Sequence, residues 1–312
     1  MEPLPPTEAL TELAHHLPDV VRFGTSSWNY PGWQGLIYHQ KYPKSGAAAR
    51  MLAEYAAFPL FRTVGIDSTF YAPASAATLE SYARALPPGF RCVSKVWDRI
   101  TVHTFPAARY KTSGGEENPD FLNAELFQRE VLDPYLAHFA DHLGPMVFEF
   151  QTIGRKAGLN GQAFADRLDK FFAQLPRELP YAVEIRNADY LVPPYFAVLR
   201  EHNVGHVFNS WTRMPALGEQ LALPGSISAP FIVARILLRP GRTYSEAVDA
   251  FAPYDRIQDE NPALRQDAVA LIQQAALLKI PAYIVVNNRA EGSAPHTILG
   301  IARLLRDQRS IP

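Results

Sequence analysis

The sequence of 312 residues contains one cysteine, Cys92, and this scarcity excludes several kinds of site. An intrachain disulfide, an iron–sulfur cluster held by several thiolates and a cysteine-rich zinc finger all need more thiols. We therefore expect a reducing compartment and predict a cytoplasmic protein. The first 18 residues have neither a basic start nor an apolar stretch, so we expect no secretory signal. No run of 18 apolar residues occurs, so we expect no membrane span and no membrane partner.

The sequence also lacks a surplus of charge of either sign. Lys and Arg number 30 and Asp and Glu 31, for a net charge of −1. Proteins that bind nucleic acid or a membrane surface through basic patches normally carry an excess of bases. Nucleic acid therefore stays open as a partner, but the charge does not favour it. Apolar residues make up 47% of the chain, which is ample material for a packed core and excludes a disordered chain.

Eight short β-branched or aromatic runs alternate with segments of helical pattern. Such alternation is typical of a parallel sheet, and eight units in about 300 residues predict a closed (β/α)₈ (TIM) barrel of the α/β class. An open doubly wound sheet is the alternative, but no G-x-G-x-x-G motif follows the first run. The predicted strands are 20–26, 63–68, 91–97, 146–151, 181–186, 205–210, 231–237 and 282–288. Helices with a capping or proline start are predicted over 46–58, 76–86, 161–175, 263–279 and 296–306.

We predict a single barrel domain over residues 20–312, preceded by an N-terminal arm over residues 1–19. Two connections are too long to be simple turns: 98–120 after the third strand and 239–260 after the seventh. Both follow the C-terminal end of a strand, which is the face where such barrels build their sites.

Strand alternation predicts which side chains point into the barrel. The outward positions must be apolar because helices cover them, so the polar residues between them point inward. Valines and small residues take the deeper inward positions, which predicts an apolar bottom below a polar mouth. The inward polar residues are three acids, Asp67, Glu149 and Glu184, three bases, Lys95, Arg186 and Arg235, and the amides of Gln151 and Asn287.

Six inward charges favour a functional site over a purely structural network. Burying charges that serve no function is unfavourable, because the free energy lost on desolvation offsets most of the Coulomb attraction. In this hypothesis Glu184 is the acid or base, and Arg186 and Arg235 clamp an anion. Lys95 stabilises charge or donates a proton, and Asn287 positions the ligand. The alternative is a set of buried ion pairs that fixes strand register.

The carboxylates on neighbouring strands, Glu149 and Glu184, also permit glycosidase-like chemistry. Asp67 is a third candidate for a catalytic carboxylate. The enzyme would then be a hydrolase or an isomerase of the TIM-barrel type.

Aromatic residues follow several predicted strand ends. All four tryptophans lie near the mouth in sequence, and so do four other aromatic residues: Trp28, Trp33, Trp97, Trp211, Tyr30, Phe70, Tyr71 and Tyr190. Of these, Trp28, Tyr30, Trp33 and Tyr71 are the candidates for contact with a ligand. Aromatic faces at a barrel mouth suit stacking on a sugar or a nucleobase. The alternative is a set of plugs that seals the mouth.

The segment 287–295 joins the eighth strand to the last helix. Its Asn288 and Gly292 are candidates for ligand binding, with Arg289 nearby. Free amides at a helix start can hold an anion, and barrels often bind phosphate there. The alternative is an ordinary helix entry.

The nine histidines do not have the spacing of a metal site. His138 and His142 are four residues apart on a predicted external helix, but the glutamate of H-E-x-x-H is missing. A divalent metal is therefore unsupported, and we predict no metal and no other cofactor. His103, in the loop after the third strand, is the best histidine for acid–base work and a candidate for ligand binding.

The run from Gly24 to Trp33, Gly-Thr-Ser-Ser-Trp-Asn-Tyr-Pro-Gly-Trp, resembles the opening motif of domain-of-unknown-function family 72, the YecE-like family. The resemblance covers roughly residues 20–305. It implies a TIM barrel with a mouth built from these residues, and it implies no established activity. The sequence departs from the family pattern at Gly65, Asp67 and Glu149, where Glu, Asn and Gln are usual. Further matches are Asp67–Tyr71, Lys95, Ile100-Thr101, Glu184-Ile185-Arg186, Arg235, Asn287-Asn288, Gly292 and Ala294-Pro295.

Three functional hypotheses remain. The favoured one is a barrel enzyme that acts on a small, anionic, sugar-containing ligand such as a sugar phosphate. The second, by analogy of fold, is a nucleic-acid enzyme or binder of the endonuclease IV type, whose metal sites need several His and carboxylate ligands. The third is a non-catalytic binding or scaffold protein in which the ion pairs serve only structure.

Overall fold

The computed structural model describes residues 2–43, 45–239, 241–242 and 244–309. At its centre lies one sheet of eight strands, all paired in parallel. The strands are β1 (Val21–Thr25), β2 (Gly65–Ile66), β3 (Cys92–Lys95), β4 (Leu143–Phe150), β5 (Tyr181–Ile185), β6 (Gly205–Asn209), β7 (Ile232–Ile236) and β8 (Ala282–Val286). The order in the sheet is β1-β8-β7-β6-β5-β4-β3-β2.

The two ends of this sheet meet, so the sheet forms a nearly closed barrel. The backbone amides of Arg62 and Thr63, just before β2, donate to the carbonyl oxygen of Phe23 in β1 at 2.8 and 3.1 Å. Each predicted strand overlaps an observed one, and β2 is the most shortened. The predicted (β/α)₈ TIM barrel is therefore confirmed.

Helices connect the strands and cover the outside of the barrel. They include each of the five predicted helices, with bounds within three residues. The sequence patterns do not predict α8, although its first residue, Pro193, is a common helix start. The helices are α1 (Thr7–His15), α2 (Ala48–Ala56), α3 (Ala76–Ala85), α4 (Asp98–Thr101), α5 (Ala124–Phe127), α6 (Asp133–His138), α7 (Gly161–Phe172), α8 (Pro193–Glu201), α9 (Leu217–Leu221), α10 (Tyr244–Phe251), α11 (Pro262–Leu278) and α12 (Ala294–Arg309).

Side-chain caps fix where four of these helices begin. Ser75 accepts a hydrogen bond from the amide of Thr78 at the start of α3. Asn123, Asn160 and Asn261 make the same contact at the starts of α5, α7 and α11. Each such cap stabilises the helix by about 1 kcal/mol, because it satisfies an amide that has no partner within the helix.

The alternation of inward and outward residues agrees with the prediction. On β4, Phe148 and Phe150 point outward and pack edge to face on Phe172 and Phe164 of α7. A separate buried cluster fills the bottom of the barrel, consisting of Val93, Val147, Ala182, Val207, Phe231, Val233, Tyr283 and Val285. The apolar bottom below the polar mouth is therefore present.

Residues 1–19, predicted as an arm, include a helix that packs on the barrel. Leu10, Leu13 and Ala14 of α1 are buried, and α1 lies against α12. Among the described residues, none of the helices combines the length and apolar character that a bilayer crossing needs.

The two long connections follow β3 and β7, as predicted. The first contains α4 and an antiparallel bridge between Thr104 and Glu117. The Asn118 side-chain amide fastens its base by donating to the carbonyl oxygens of Arg99 and Val102, both at 2.7 Å. The second contains α10, and its residues 240 and 243 lie outside the described part of the chain.

Candidate functional site at the barrel mouth

The strand register brings the predicted inward acids together. Glu149 and Glu184 are direct neighbours on β4 and β5. Val147 and Ala182, two residues earlier, belong to the buried bottom of the barrel. Because side chains alternate along a strand, the two carboxylates lie on the same inner face, one level nearer the mouth.

Arg235 of β7 reaches three acids at once. Its Nη1 donates to Oε2 of Glu149 at 2.8 Å and to Oε2 of Glu184. Its Nη2 donates to Oδ2 of Asp67 at 3.0 Å and to Oδ1 at 3.3 Å. Asp67 follows β2 directly, so three strands contribute a carboxylate to one guanidinium.

Lys95 and Arg186 complete the set. Lys95 Nζ lies 2.9 Å from Oε2 of Glu149 and 3.3 Å from Oδ2 of Asp67. Arg186 Nη2 lies 2.5 Å from Oε1 of Glu184 and 3.3 Å from Oε2 of Glu149. The six predicted inward charges form one connected group with equal numbers of acids and bases. The ion-pair cluster, as we call it, consists of Asp67, Lys95, Glu149, Glu184, Arg186 and Arg235.

The cluster keeps its central members ionised. Burial by itself raises the pKa of Glu149, but Lys95, Arg186 and Arg235 outweigh it and hold this pKa well below its ordinary value. Burial likewise lowers the pKa of Arg235, but its three carboxylate partners raise it above the ordinary value. Glu149 is therefore a carboxylate at neutral pH, and it has no proton to give.

The cluster forms the floor of a cavity of about 230 Å³, the mouth cavity. Glu184 is absent from its wall, since its side chain is fully buried behind Arg186 and Arg235. Glu184, predicted as the acid or base, therefore contacts two arginines and does not line the mouth cavity. The cavity is lined by Asp67, Phe70, Tyr71, Lys95, Glu149, Gln151, Arg186, Trp211, Arg235, Leu237, Leu238, Asn287 and Arg289.

The side chains at this wall carry a surplus of positive charge. Glu184, which balances the cluster, lies beneath it, and Arg289 adds a base from outside the cluster. The bases of the wall are Lys95, Arg186, Arg235 and Arg289, and its acids are Asp67 and Glu149. The lining side chains therefore include four bases and two acids, although the six-residue cluster is neutral and the acid Asp67 is its most exposed member.

Aromatic rings complete the wall. Tyr71 is 64% exposed, and the guanidinium of Arg109 lies 4.8 Å from its ring centre. Arg109 is held in turn by Asp98, at 2.5 Å, which anchors the long loop after β3 next to the cavity. Trp211 covers Arg186, with the guanidinium 4.0 Å from its ring centre.

Three of the predicted aromatic contacts lie elsewhere. Trp28 is buried and donates its indole N–H to the carbonyl oxygen of Gly65 at 3.0 Å. Trp33 is fully buried and stacks on Tyr38. The Tyr30 hydroxyl donates to the carbonyl oxygen of Pro253 at 2.8 Å. None of these three predicted residues lines the mouth cavity.

The amides at the start of α12 are not open to an anion. Asn288 Oδ1 accepts from the amide of Ala294 at 2.9 Å. Gly292 has φ +113°, and an added Cβ would lie 2.7 Å from the carbonyl oxygen of Arg256, so a distant segment covers this turn. Asn288 and Gly292 therefore build the helix entry and do not line the mouth cavity. Asn287 does line it and donates to Ser26 Oγ at 3.0 Å.

The histidines lie away from the ion-pair cluster. His103 lines a neighbouring cavity. His138, at the end of α6, pairs with Glu80 at 3.0 Å, whereas His142 is buried beyond that helix and contacts the carbonyl oxygen of Phe90. Among the described residues, no three His, Cys, Asp or Glu side chains are placed to hold a metal ion.

The wall also includes Gln151, Trp211 and Arg289, which the sequence places near the mouth but not among the candidate site residues. Gln151 lies two positions after Glu149, so strand alternation already predicts its direction. Trp211 and Arg289 follow β6 and β8, and the positions of their side chains depend on loop conformation. For these two residues, the strand pattern indicates at which end of the barrel they lie, but not where their side chains point.

Comparison with known proteins supports the fold and identifies the family. Solved structures of DUF72 family proteins are similar. One, from Thermotoga maritima MSB8, is 19% identical, with a TM-score of 0.61, over 92% of this chain and 99% of that chain. Another, from Enterococcus faecalis V583, is 17% identical, with a TM-score of 0.60, over 91% of this chain and 95% of that chain. No curated protein sequence matches the chain significantly. The family model described as protein of unknown function DUF72 matches residues 22–312, so the chain belongs to the DUF72 family.

Proposed function

We propose that the mouth cavity binds a small, anionic, sugar-containing molecule, for which a sugar phosphate is the model. The surplus of bases at the cavity wall carries this proposal. A wall with more cations than anions attracts an anionic ligand, and arginines are well suited to phosphate or carboxylate oxygens.

The remaining lining groups suit the hydroxyls and ring faces of a sugar. Asp67, Gln151 and Asn287 offer carboxylate and amide groups that donate to or accept from hydroxyls. Tyr71 and Trp211 present aromatic surface beside them.

The chemistry that these residues favour is proton transfer with charge stabilisation. Asp67, partly exposed at the rim, is the carboxylate better placed to take a proton from a ligand, because the three bases that lower the pKa of Glu149 make Glu149 a weak base. Lys95, between them, can stabilise an oxyanion that forms on the ligand. Glycoside hydrolysis is less well supported, since it needs a protonated carboxyl group and Arg235 lies between Glu149 and Glu184.

The nucleic-acid alternative has weaker support. A metal-dependent phosphodiesterase turns several carboxylates and histidines toward its ions. Here the carboxylates that line the wall, Asp67 and Glu149, already have Lys95 and Arg235 as partners.

A thermal-shift panel tests the proposal. The ligands are glucose 6-phosphate, glucose, neutral oligosaccharides, mononucleotides and short DNA with an abasic site, each with and without divalent metal ions. A ligand at about 100 times its Kd adds roughly 2.7 kcal/mol, or about 5 °C in Tm. We expect the sugar phosphate to raise Tm and glucose to leave it unchanged.

Two arginine variants locate the binding site. Arg289→Gln removes the one lining base that lies outside the ion-pair cluster and should weaken sugar-phosphate binding about tenfold or more. Arg155→Gln, an exposed position away from the cavity, is the matched control and should bind like the wild type. Equal shifts with glucose and glucose 6-phosphate, or equal weakening in both variants, would contradict the proposal.

A further inference from the structure

A second cavity of about 300 Å³ lies beside the mouth cavity. The two share one lining residue, Gln151, which directly follows β4. The wall of the second cavity comes from the start of the long loop after β3 and from the segment after β4. Its lining residues are Val102, His103, Thr104, Phe105, Pro106, Gln151, Thr152, Ile153 and Gly154.

The second cavity differs from the mouth cavity in charge. Its lining contains no Asp, Glu, Lys or Arg, and three of its residues, Val102, Phe105 and Ile153, are buried apolar side chains. Burial lowers the pKa of His103, with Arg167 adding to the effect against the attraction of Glu117, so this imidazole is neutral at neutral pH. An uncharged, partly apolar group is the natural occupant of such a wall.

His103 also has capacity for a further hydrogen bond. It is buried, and its Nδ1 lies 3.1 Å from the Thr104 hydroxyl oxygen. Its Nε2 lies 3.8 Å from the nearest carboxylate oxygen, of Glu117, which is beyond hydrogen-bond length. A neutral imidazole nitrogen and the Gln151 amide thus add polar groups to apolar walls.

The sizes of the two cavities support joint use. The mouth cavity, at about 230 Å³, is smaller than the ~300–1,000 Å³ of typical ligand pockets. The two cavities adjoin at Gln151, the one lining residue that they share.

We propose that the second cavity is a subsite for an uncharged, largely apolar substituent of the same ligand, such as an aryl group joined to the sugar. The inference rests on the proposed function in that the anionic sugar occupies the mouth cavity. Gln151 then contacts the junction between the two parts, and His103 binds a neutral polar atom of the substituent.

Three probes and two variants test this inference by isothermal titration calorimetry. The probes are glucose 6-phosphate, phenyl glucoside 6-phosphate and uncharged phenyl glucoside. Gly154→Tyr adds a ring to a residue that lines the second cavity. The position tolerates a side chain, because its φ is −70° and an added Cβ meets no atom within 4 Å. Lys156→Tyr, on the same loop but in neither cavity wall, is the matched control.

We expect the wild type and Lys156→Tyr to bind phenyl glucoside 6-phosphate at least about tenfold more tightly than glucose 6-phosphate, which is about 1.4 kcal/mol. Gly154→Tyr should remove this advantage and leave the affinity for glucose 6-phosphate unchanged. If the wild type binds both sugar phosphates equally, or if Gly154→Tyr keeps the advantage, the subsite is wrong and the proposed function stands.

Failure of the proposed function gives a different pattern. If neither sugar phosphate binds but phenyl glucoside binds the wild type and not Gly154→Tyr, the second cavity is a site and the anionic mouth ligand is wrong. If none of the three probes binds the wild type, both proposals are overturned.

Discussion

Replacement of Arg235 by glutamine tests whether the ion-pair cluster holds the barrel mouth together. Arg235 is 2% exposed and is hydrogen-bonded to Asp67, Glu149 and Glu184. In Arg235→Gln the carboxylates remain but their shared cation is gone. Lys95 and Arg186 still contact Glu149, whereas Arg186 alone remains beside Glu184.

The expected loss of stability follows from the cost of a buried charge without its partner. Removing one member of a buried pair costs about 3–5 kcal/mol, because the remaining charge stays desolvated. For a domain of this size each kcal/mol is about 2 °C, so Tm should fall by about 6–10 °C. Urea unfolding of wild type and variant at neutral pH measures the free-energy difference directly.

The pH dependence of the difference has a defined sign. In the wild type, the three neighbouring bases hold the pKa of Glu149 well below its ordinary value, so its pairing stabilises the fold at neutral pH. Without Arg235 this pKa rises, and a protonated Glu149 no longer needs a cation. The difference between wild type and Arg235→Gln should therefore shrink as the pH falls toward about 4.

The double variant Arg235→Gln with Glu184→Gln is the matched control, since it removes one charge of each sign. The stability that the double variant loses should be smaller than the sum of the losses in Arg235→Gln and Glu184→Gln by at least about 1 kcal/mol. A loss below about 1 kcal/mol for Arg235→Gln, or additive single losses, would refute the reasoning.

Three further predictions concern other parts of the molecule. Tyr71→Ala removes an exposed ring of the mouth cavity, so the free energy of unfolding should change by less than about 1 kcal/mol while glucose 6-phosphate binding weakens several-fold. If the variant and the wild type bind glucose 6-phosphate equally, Tyr71 is not part of the site. Burial lowers the pKa of His206 to about 4, so its neutral imidazole stabilises the fold fully above pH 6.5, and this contribution to the free energy of unfolding should fall by about 3 kcal/mol toward pH 4. Urea unfolding of the wild type and His206→Phe should show this loss in the wild type alone. Gly292 has φ +113°, and Gly292→Ala places a Cβ 2.7 Å from the carbonyl oxygen of Arg256, so the free energy of unfolding should fall by about 1–3 kcal/mol. An unchanged Tm would show that the turn relaxes freely.

Most of the cluster could be predicted from the sequence, because a barrel converts strand position into spatial position. Parallel strands end at one face, and alternation sends every second side chain inward. Glu149, Glu184 and Arg235 all follow an inward valine or alanine by two residues, so their convergence needs no knowledge of the loops. Asp67 lies just past its short strand and still reaches Arg235.

What alternation does not predict is depth along the barrel axis. Glu149 and Glu184 share a register level, yet Glu149 reaches the cavity wall and Glu184 is covered by Arg186 and Arg235. The difference depends on which side chains of other strands lie above each carboxylate. The assignment of Glu184 as acid or base therefore did not agree with its position, although its inward direction did.

Loop residues were the least predictable part of the site. Trp28 and Trp33 follow β1 closely, but Trp28 turns toward the carbonyl oxygen of Gly65 and Trp33 toward Tyr38. The start of α12 is covered at Gly292 by Arg256, which is distant in sequence. Such contacts depend on the packing of separate connections, which local sequence patterns do not report.

Titration of the wild-type protein with glucose 6-phosphate and with glucose, by isothermal calorimetry at neutral pH, tests the central claim most directly. The cationic wall of the mouth cavity predicts binding of glucose 6-phosphate at least about tenfold tighter than that of glucose, with the difference reduced in Arg289→Gln. Equal affinity for the two sugars, or binding of neither, would contradict the assignment of this cavity to an anionic sugar ligand.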